Sequence, residues 1–460
     1  MKTPIYIALS FLALAAVCAA EEKPAEQQDF KFDTYTEYRP SLNRIPSDDP
    51  GMECPNTRDR TLPMHGPWHT NPGFDSITIS YVAAGPSLAG VEYRIRGTTN
   101  GFKRVWGTIY GAADYHSHVH SFHLKNLEPA TEYEYRFLSA LNSYELAKLW
   151  CGIFTGKELY SFKTLDPELK NYKVFLTADT HGSSRVWLEP SIERSNARDA
   201  DLFVQLGDQI EDTMANDAEN LIMGSFLDEC CRLYASRGKA AIFVRGNHEC
   251  QGIQAWKYGT YFPRPDGKGY FSFSQGPALF VVLDAPANHG GMPINEVIAG
   301  AYLAEQAAWL ADLKKTEAWR KATFRIVMAH IPMTLGGGDR LAEIFREVLV
   351  DKSKDGRIHL YLAGHMHVQM RRDPGTAAVK VNNPFRKSFP RHLTDEWPFA
   401  EVIEDMGGGM TLEVSPEKLT LKAYDWRRHE PRIMDAFEVY PDGHVKDLVE
   451  VPVYTEPNPK

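Results

Sequence analysis

The sequence has few of the features that mark zinc-finger, membrane-spanning or nucleic-acid-binding proteins. Its 460 residues include six cysteines, and no two of them form a CxxC pair, which argues against a zinc finger. Beyond the N-terminus no apolar run reaches the roughly 18 residues that a membrane helix needs, so we expect no membrane span. The 51 basic residues are outnumbered by 60 acidic ones, without a basic block. Nucleic acid is therefore not expected as a partner.

The N-terminus has the pattern of an export signal. Lys2 is basic, residues 5–17 are nearly all apolar, and small residues at 18–20 precede an acidic one. We therefore expect a signal peptide at 1–20 and a secreted or periplasmic protein. Lipid attachment at Cys18 is the alternative. In an oxidising compartment disulfide bonds can form.

Five cysteines follow the predicted signal peptide, so at least one thiol stays unpaired. We expect one bridge between Cys54 and Cys151. A second bridge is expected from Cys230 or Cys231 to Cys250.

The length predicts two domains plus tails, because a single hydrophobic core stops growing well below 460 residues. After an N-terminal extension at 21–61, residues 62–166 have an all-β pattern. Apolar and polar residues alternate at 76–82 and at 91–95, and Pro, Gly and Asn separate the runs. Several short strands in about 100 residues predict a β-sandwich.

Residues 172–445 have a different pattern, in which apolar strands alternate with helical stretches. That alternation predicts an α/β layered domain. Three further strands without helices are expected between 410 and 440. Residues 371–398 show no clear period and are predicted to be a long loop.

Within the α/β part, five predicted strands end in residues that can bind metal. The apolar runs 172–178, 202–206, 240–244, 324–329 and 358–363 are followed by Asp179 and His181, Asp208, Asn247, His330, and His365 and His367. Ligands of α/β sheets bind at this carboxyl edge. Alone, a strand-end aspartate more often caps the next helix, and a lone histidine is more often a core residue. Glycines precede Asp208, Asn247 and His365, which predicts tight turns in close contact with other groups.

The donor types define the class of metal. Carboxylate, imidazole and amide oxygen without thiolate suit borderline or hard divalent ions. A carboxylate can bridge two such ions, and a pair about 3.5–4 Å apart stabilises the attacking and leaving oxygens in displacement at phosphorus. The pattern therefore predicts a dinuclear hydrolytic site.

The five blocks, in this order, resemble those of calcineurin-like metallophosphoesterases. The resemblance covers about 172–368, and the blocks that carry it are Gly246-Asn247-His248-Glu249 and Gly364-His365-Met366-His367 above all. It implies a four-layer αββα sandwich. It also implies two ligand sets: Asp179, His181, Asp208 and His367 for one ion, and Asp208, Asn247, His330 and His365 for the other. Asp208 is then the bridge.

The same resemblance assigns the remaining roles. His248 is implied to donate a proton to the leaving oxygen or to stabilise the transition state, and the nucleophile is implied to be a metal-bound hydroxide. The identity of the ions stays open among Zn, Mn, Fe and Mg. Arg185, Arg245 and His289 are weaker candidates for contacts with the substrate phosphate.

The N-terminal region resembles two known domains. The stretch 127–136 is similar to a turn and strand of fibronectin type III domains, and Gly66-Pro67-Trp68 is similar to the domain that precedes purple acid phosphatases. That branch, however, carries Gly at the position of His181 and Tyr at the position of Glu211. Without the tyrosine no phenolate can give an iron charge-transfer band, so we expect a colourless protein.

The sequence thus predicts a secreted, dinuclear metal-dependent phosphoesterase that acts on phosphomonoesters of small molecules. A phosphodiesterase or nucleotide pyrophosphatase is the alternative within the same chemistry. A non-catalytic secreted binding protein is the alternative outside it.

Overall fold

The computed structural model describes residues 63–143, 149–211, 217–286, 293–333, 339–351, 353, 355–382, 397–425 and 430–454. All of them fall in one compact unit of the chain. None of the helices in these ranges is long and apolar enough to cross a membrane. The predicted signal peptide, the N-terminal extension, Cys54 and His289 lie outside the described residues.

The first part of the described chain is all β, as predicted. Its strands are β1 (Pro63–Thr70), β2 (Ile77–Ala83), β3 (Leu88–Ile95), β4 (Lys103–Trp106), β5 (Thr108–Ile109), β6 (Ala112–Ala113), β7 (Val119–Leu124), β8 (Glu132–Ser143), β9 (Leu149–Thr155) and β10 (Tyr160–Lys163). Within the described residues they form a sheet in the order β1-β2-β7, a sheet in the order β10-β8-β3-β4 with β9 paired to β8, and the hairpin β5-β6. Every second residue of β2, namely Ile77, Ile79 and Tyr81, packs in the core between the sheets.

The second part alternates strands and helices. Its strands are β11 (Tyr172–Thr177), β12 (Leu202–Gln205), β13 (Ala241–Phe243), β14 (Phe271–Gln275), β15 (Ala278–Val282), β16 (Phe324–Met328), β17 (Leu360–Ala363), β18 (Met370–Arg372), β19 (Val379–Lys380), β20 (Ala400–Ile403), β21 (Gly409–Val414), β22 (Leu419–Tyr424), β23 (Ile433–Val439), β24 (Val445–Asp447) and β25 (Val453–Tyr454). Its helices are α1 (Ser184–Arg194), α2 (Ala218–Ile222), α3 (Asp228–Leu233), α4 (Tyr258–Tyr261), α5 (Pro293–Leu313), α6 (Glu317–Lys321) and α7 (Asp339–Leu349). A π-helical turn at Met223–Leu227 joins α2 to α3.

The described strands of this part form two sheets. One has the order β13-β12-β11-β21-β22-β23-β24, and the other has the order β14-β15-β16-β17-β20-β18-β19-β25. Strands β11, β12 and β13 are parallel, and so are β15, β16, β17 and β20. The five strands that were predicted to carry ligands, β11, β12, β13, β16 and β17, all belong to these parallel sets.

The sheets are buried on both faces. In β11, Val174 and Leu176 point into a core shared by the two sheets, whereas Phe175 packs outward against α1 to α3. On the other sheet Val281 and Val327 pack outward against α5, α6 and α7. Burial on both faces explains why these strands read as continuous apolar runs. The order of layers is helix, sheet, sheet, helix, which confirms the predicted αββα fold.

Two expectations were wrong. The long loop predicted at 371–398 contains parts of two strands, β18 and β19, whose short length leaves no period in the sequence. Cys230, Cys231 and Cys250 are free thiols rather than bridged. The sulfur of Cys230 accepts a hydrogen bond from the side-chain amide of Gln205. The thiol of Cys250 donates a hydrogen bond to the carbonyl of Gly246, so the two sulfurs have different partners.

Candidate metal centre

All seven predicted ligands meet at the carboxyl edges of the parallel strands. They lie in the turns that follow β11, β12, β13, β16 and β17. Because both sheets present this edge on the same side, residues up to 186 positions apart come into contact. Four of them, namely Asp179, Asp208, Asn247 and His330, are at most 2% exposed.

One cluster is formed by Asp179, His181 and His367, whose ligand atoms lie within 4.8 Å of one another. The Nε2 atoms of the two histidines are 2.9 Å apart. Asp179 Oδ1 lies 3.4 Å from His367 Nε2 and 3.8 Å from His181 Nε2. The other carboxylate oxygen of Asp179 accepts the backbone N–H of His365 at 2.8 Å, which fixes the direction of Oδ1.

A second cluster is formed by Asp208, His330 and His365. His330 Nδ1–H donates to the carbonyl of Leu206 at 2.8 Å, and this leaves Nε2 facing Asp208 Oδ2 at 3.1 Å. Asn247 Oδ1 lies 3.1 Å from His330 Nε2 and 2.8 Å from His365 Nδ1.

Asp208 also belongs to a third group, with His181 and His248, so its carboxylate lies within 4.8 Å of ligand atoms from both clusters. Burial alone would raise the pKa of Asp208, but the imidazole of His330 holds it below its ordinary value. Burial would likewise lower the pKa of His330, and the carboxylate of Asp208 instead raises it to about 9. Asp208 therefore lies between the two clusters.

The donor set fits divalent cations. Asp179 Oδ1 is buried and has no hydrogen-bond partner among the described residues, although three imidazole nitrogens lie within 4.0 Å of it. A buried carboxylate oxygen in that position is costly unless a cation balances it. The donors are carboxylate, imidazole and amide oxygen, which suits borderline or hard ions.

The backbone of the centre is held in sparsely populated conformations. Asp179, His181, Asp208, His365 and His367 have φ between 44° and 75°, and they make up half of the ten described non-glycine residues with positive φ. Each such residue costs of order 1–3 kcal/mol and persists where the surrounding structure imposes it. The hydrogen bonds from Asp179 N to the Gly207 carbonyl and from His181 N to the Asp208 carbonyl, 3.0 and 3.1 Å long, hold two of these turns together.

The three glycines that precede ligands are in close contact, as the sequence predicted. A Cβ on Gly207 would lie 2.4 Å from His330 Nδ1, and one on Gly246 would lie 2.2 Å from Asp208 Oδ1. A Cβ on Gly364 would lie 2.5 Å from Asp179 Oδ2. Only glycine lets these turns approach the neighbouring ligands so closely.

Glu249 holds the turns in place, a role that sequence reasoning missed. Its side chain is fully buried and accepts the backbone N–H groups of Asp208, Gln209, Ile210 and Gly246 at 2.7–3.2 Å. Burial raises the pKa of Glu249 to about 7, and the charge of Asp208 adds to this effect. Glu249 is part of the sequence block Gly246-Asn247-His248-Glu249, but the four backbone N–H groups that it accepts come together only when the chain folds.

His248 lies at the open side of the centre. Its backbone N–H donates to Asp208 Oδ1 at 2.9 Å, and its ring Nδ1–H donates to the Glu211 carbonyl at 2.5 Å. Nε2 is then directed towards the clusters, 3.8 Å from Asp208 Oδ2. The side chain is 28% exposed, so a substrate can reach it from solvent.

The weaker candidates for phosphate binding are placed differently. Arg185 lies exposed in the first turn of α1. Arg245 forms a bidentate ion pair with the buried Asp284, with N–O distances of 3.0 and 2.7 Å. The side chain of Glu211 lies 3.4 Å from His181 Nδ1, at the position where a purple acid phosphatase would carry tyrosine.

Comparisons with known proteins agree with this architecture. Residues 172–369 match the model of the family described as calcineurin-like phosphoesterase. A purple acid phosphatase from seeds of yellow lupin is similar over 81% of this chain and 74% of its own, with a TM-score of 0.55 and 16% identity. PhoD is similar over 84% of this chain and 91% of its own, with a TM-score of 0.52 and 14% identity. These likenesses show the fold. No curated protein matches the sequence.

Proposed function

We propose that this protein is a secreted dinuclear phosphoesterase that hydrolyses phosphomonoesters, because residues 172–369 match the model of the calcineurin-like phosphoesterase family. The observation that supports the proposal is the position of Asp208, whose carboxylate lies within 4.8 Å of imidazole nitrogens from both ligand clusters. The family implies divalent metal ions and phosphorylated small-molecule substrates. The export signal predicted at 1–20 supports the assignment to the secreted proteins.

Asp179, His181, Asp208 and His367 would hold one ion, and Asp208, Asn247, His330 and His365 the other. When bound, two such ions supply Lewis acidity that activates water near neutral pH and neutralises charge on the phosphoryl oxygens. Glu249 holds the two turns that carry Asp208 and Asn247, so these donors are in place before substrate arrives.

His248 is proposed to donate a proton to the leaving oxygen. The hydrogen bond from Nδ1–H to the Glu211 carbonyl orients the ring, and Nε2 is the nitrogen that faces the clusters. A proton donor within reach of the leaving group accelerates such a step by about 10²- to 10⁴-fold.

The metal-binding role is tested by substituting Asp208→Asn. We expect loss of at least one ion per chain and a large loss of turnover, because a neutral amide is a poor bridge between two cations. Metal content by elemental analysis and hydrolysis of an aryl phosphate are the measurements. Full metal content together with full turnover would disprove the bridging role.

The substrate class is tested with a panel of mono- and diesters after reconstitution with Zn, Mn, Fe and Mg in turn. We expect the monoesters to be hydrolysed faster. A preference for diesters or nucleotide pyrophosphates would support the alternative, and no turnover with any metal would indicate a non-catalytic protein. Because Glu211 replaces a tyrosine, each preparation should be colourless; a tyrosinate charge-transfer band would contradict this.

The role of His248 is tested by its dependence on the leaving group. We expect His248→Ala to slow alkyl phosphates by about 10²-fold or more and activated aryl phosphates much less, because good leaving groups need little protonation. Comparison of kcat for p-nitrophenyl phosphate and an alkyl phosphate gives the answer. Equal slowing of both substrates would exclude proton donation.

A further inference from the structure

Four of the predicted metal ligands are imidazoles, and the second nitrogen of each ring needs a partner of its own. A ligating histidine almost always gives the N–H of that nitrogen to a carboxylate, a carbonyl or water, which fixes the tautomer and the plane of the ring. His330 follows this rule, because its Nδ1–H donates to the carbonyl of Leu206. The partner of the second nitrogen therefore shows how the protein orients a ligand.

His181 has a buried second nitrogen without such a partner. Its Nε2 faces the cluster, 2.9 Å from His367 Nε2, which leaves Nδ1 facing away from it. Nδ1 is buried and makes no hydrogen bond to any described residue. Buried polar atoms of this kind are rare in native proteins. Because bulk water does not reach Nδ1, its partner has to be a neighbouring group.

The carboxylate of Glu211 lies next to this nitrogen. Its Oε2 is 3.4 Å from His181 Nδ1, which is about 0.4 Å longer than a typical N–H···O hydrogen bond. The side chain of Glu211 is 71% exposed, so the carboxylate can rotate about its own bonds without displacing a packed neighbour. A small rotation is therefore enough to bring one of its oxygens into line with the Nδ1–H.

Main-chain contacts place Glu211 beside the ring. The N–H of His181 donates to the carbonyl of Asp208 at 3.1 Å, and the N–H of Gly182 donates to the carbonyl of Gln209 at 2.7 Å. The turn after β11 thus lies along the segment that follows β12. A Cβ on Gly182 would lie 3.6 Å from the Cβ of Glu211. The approach of Glu211 to His181 is set by the backbone and not by its exposed side chain.

The main chain of Glu211 also orients a second imidazole. Its carbonyl accepts the Nδ1–H of His248 at 2.5 Å. The rings of His181 and His248 meet edge to face, with their centres 4.7 Å apart. Glu211 thus contacts one ring through its carbonyl and lies beside the other with its carboxylate. A side-chain substitution keeps the carbonyl in place, so it tests the carboxylate alone.

We propose that Glu211 is a positioning residue of the metal centre. Its carboxylate accepts the Nδ1–H of His181 and so directs Nε2 at the ion that this histidine would hold together with Asp179, Asp208 and His367. A carboxylate in this position also makes the imidazole a stronger donor. The inference rests on the proposed metal centre and assigns Glu211 to the affinity for one of the two ions.

The test compares Glu211→Ala and Glu211→Gln with the unaltered protein, each loaded with Zn and titrated with a competing chelator. We expect Glu211→Ala to weaken the binding of one ion by about 10- to 100-fold and to leave the other unchanged. Glu211→Gln should lose less than about tenfold, because its amide oxygen still accepts the Nδ1–H. Glu417→Ala, at an exposed position between β21 and β22, is the control and should change neither ion.

Two further measurements separate positioning from a structural role. The Tm of the metal-free protein should be the same with and without the Glu211 side chain, because a largely exposed side chain contributes little to packing. In the proton NMR spectrum of zinc-loaded protein with isotope-labelled histidine, an imidazole N–H protected from exchange should be lost in Glu211→Ala and kept in Glu211→Gln. A lowered Tm without metal would assign Glu211 a structural role and overturn the proposal.

A His181→Ala background shows whether Glu211 acts through the imidazole. In that background Glu211→Ala should cause no further loss of affinity for any ion, because the contact that it removes no longer exists. A loss of the same size with and without His181 would show that Glu211 acts by its charge alone, which would overturn the positioning role.

The remaining outcomes distinguish this inference from the proposed function. Equal losses in Glu211→Ala and Glu211→Gln, or no loss in either while the unaltered protein holds two ions, would overturn the role of Glu211 and leave the proposed hydrolysis intact. An unaltered protein that binds no ion would overturn both. The expected loss of affinity in a protein that hydrolyses no phosphate ester would support the role of Glu211 and reject the proposed reaction.

Discussion

At the scale of single residues, the metal centre depends on backbone positions that few residue types tolerate. Five predicted ligands adopt positive φ, and three glycines allow neighbouring turns to come within contact distance of those ligands. Glu249 stabilises the arrangement by accepting four backbone N–H groups. The local strain is therefore compensated by a single buried carboxylate and by the packing of the turns.

Gly246→Ala tests this dependence. The added Cβ would meet the backbone nitrogen of Asp208 at 2.3 Å and its Oδ1 at 2.2 Å, so the turn must move. We expect a loss of activity of about 10²-fold or more, since a displacement near 1 Å has that effect on a catalytic site. Metal affinity and kcat are the measurements.

Gly101→Ala is the matched control, because a Cβ at Gly101 meets no heavy atom within 4 Å. It should leave both quantities unchanged. If Gly246→Ala behaved like this control, the close approach of the two turns would not matter for function.

At the scale of elements, the Arg245–Asp284 pair joins the two sheets. Arg245 follows β13 of one sheet, and Asp284 follows β15 of the other. From α5, the hydroxyl of Tyr302 donates to Asp284 Oδ2 at 2.9 Å, and Gln306 hydrogen-bonds both the N–H and the carbonyl of Asp284. The carboxyl edges of both sheets are thus fixed relative to each other and to a helix.

Asp284→Asn is expected to destabilise the protein by about 3–5 kcal/mol, because it leaves the largely buried charge of Arg245 without its partner. Urea unfolding measures the change in free energy. Asp312→Asn, at an exposed position on α5, the helix that contacts Asp284 through Tyr302 and Gln306, should change it by less than about 0.5 kcal/mol. Similar values for the two variants would show that the pair contributes little to joining the sheets.

At the scale of the whole molecule, the sandwich and the α/β layers share a core. Trp68 of β1 is 1% exposed, packs among the residues that cover the outer face of one sheet, and donates its indole N–H to the Tyr261 carbonyl. The side chains of His65 and His118 form hydrogen bonds with Asp228 and Glu219 of the helical layer, 2.9 and 2.7 Å long. The two parts are therefore expected to unfold together.

Trp68→Ala should cost about 3–5 kcal/mol, as for other buried aromatic side chains. We also expect the single unfolding transition to separate into two, because the main apolar contact between the parts is lost. Calorimetry together with far-UV circular dichroism detects both effects. The control is Ile109→Ala, on a partly exposed hairpin of the sandwich, and this variant should still unfold in one transition. Two unfolding transitions in the unaltered protein would contradict the shared core.

The sequence by itself determined the elements that carry the site. The apolar runs that become β11, β12, β13, β16 and β17 are local patterns, and the donors that follow them are read directly from the chain. The all-β N-terminal region and the alternation of strands and helices after it were confirmed for the same reason, since residue type and period are local properties. The order of the four layers was also confirmed, but it was implied by the family resemblance and not by a local pattern.

Only the tertiary structure decided how those residues meet. The contacts of His181 with His367 and of Asp179 with His365 each join residues 186 positions apart. Glu249, the pairing of Arg245 with Asp284, and the free state of Cys250 likewise depend on partners that no local pattern specifies. The reason is physical: a residue's type sets which contacts it can make, and only the packing of distant strands sets which of them it does make.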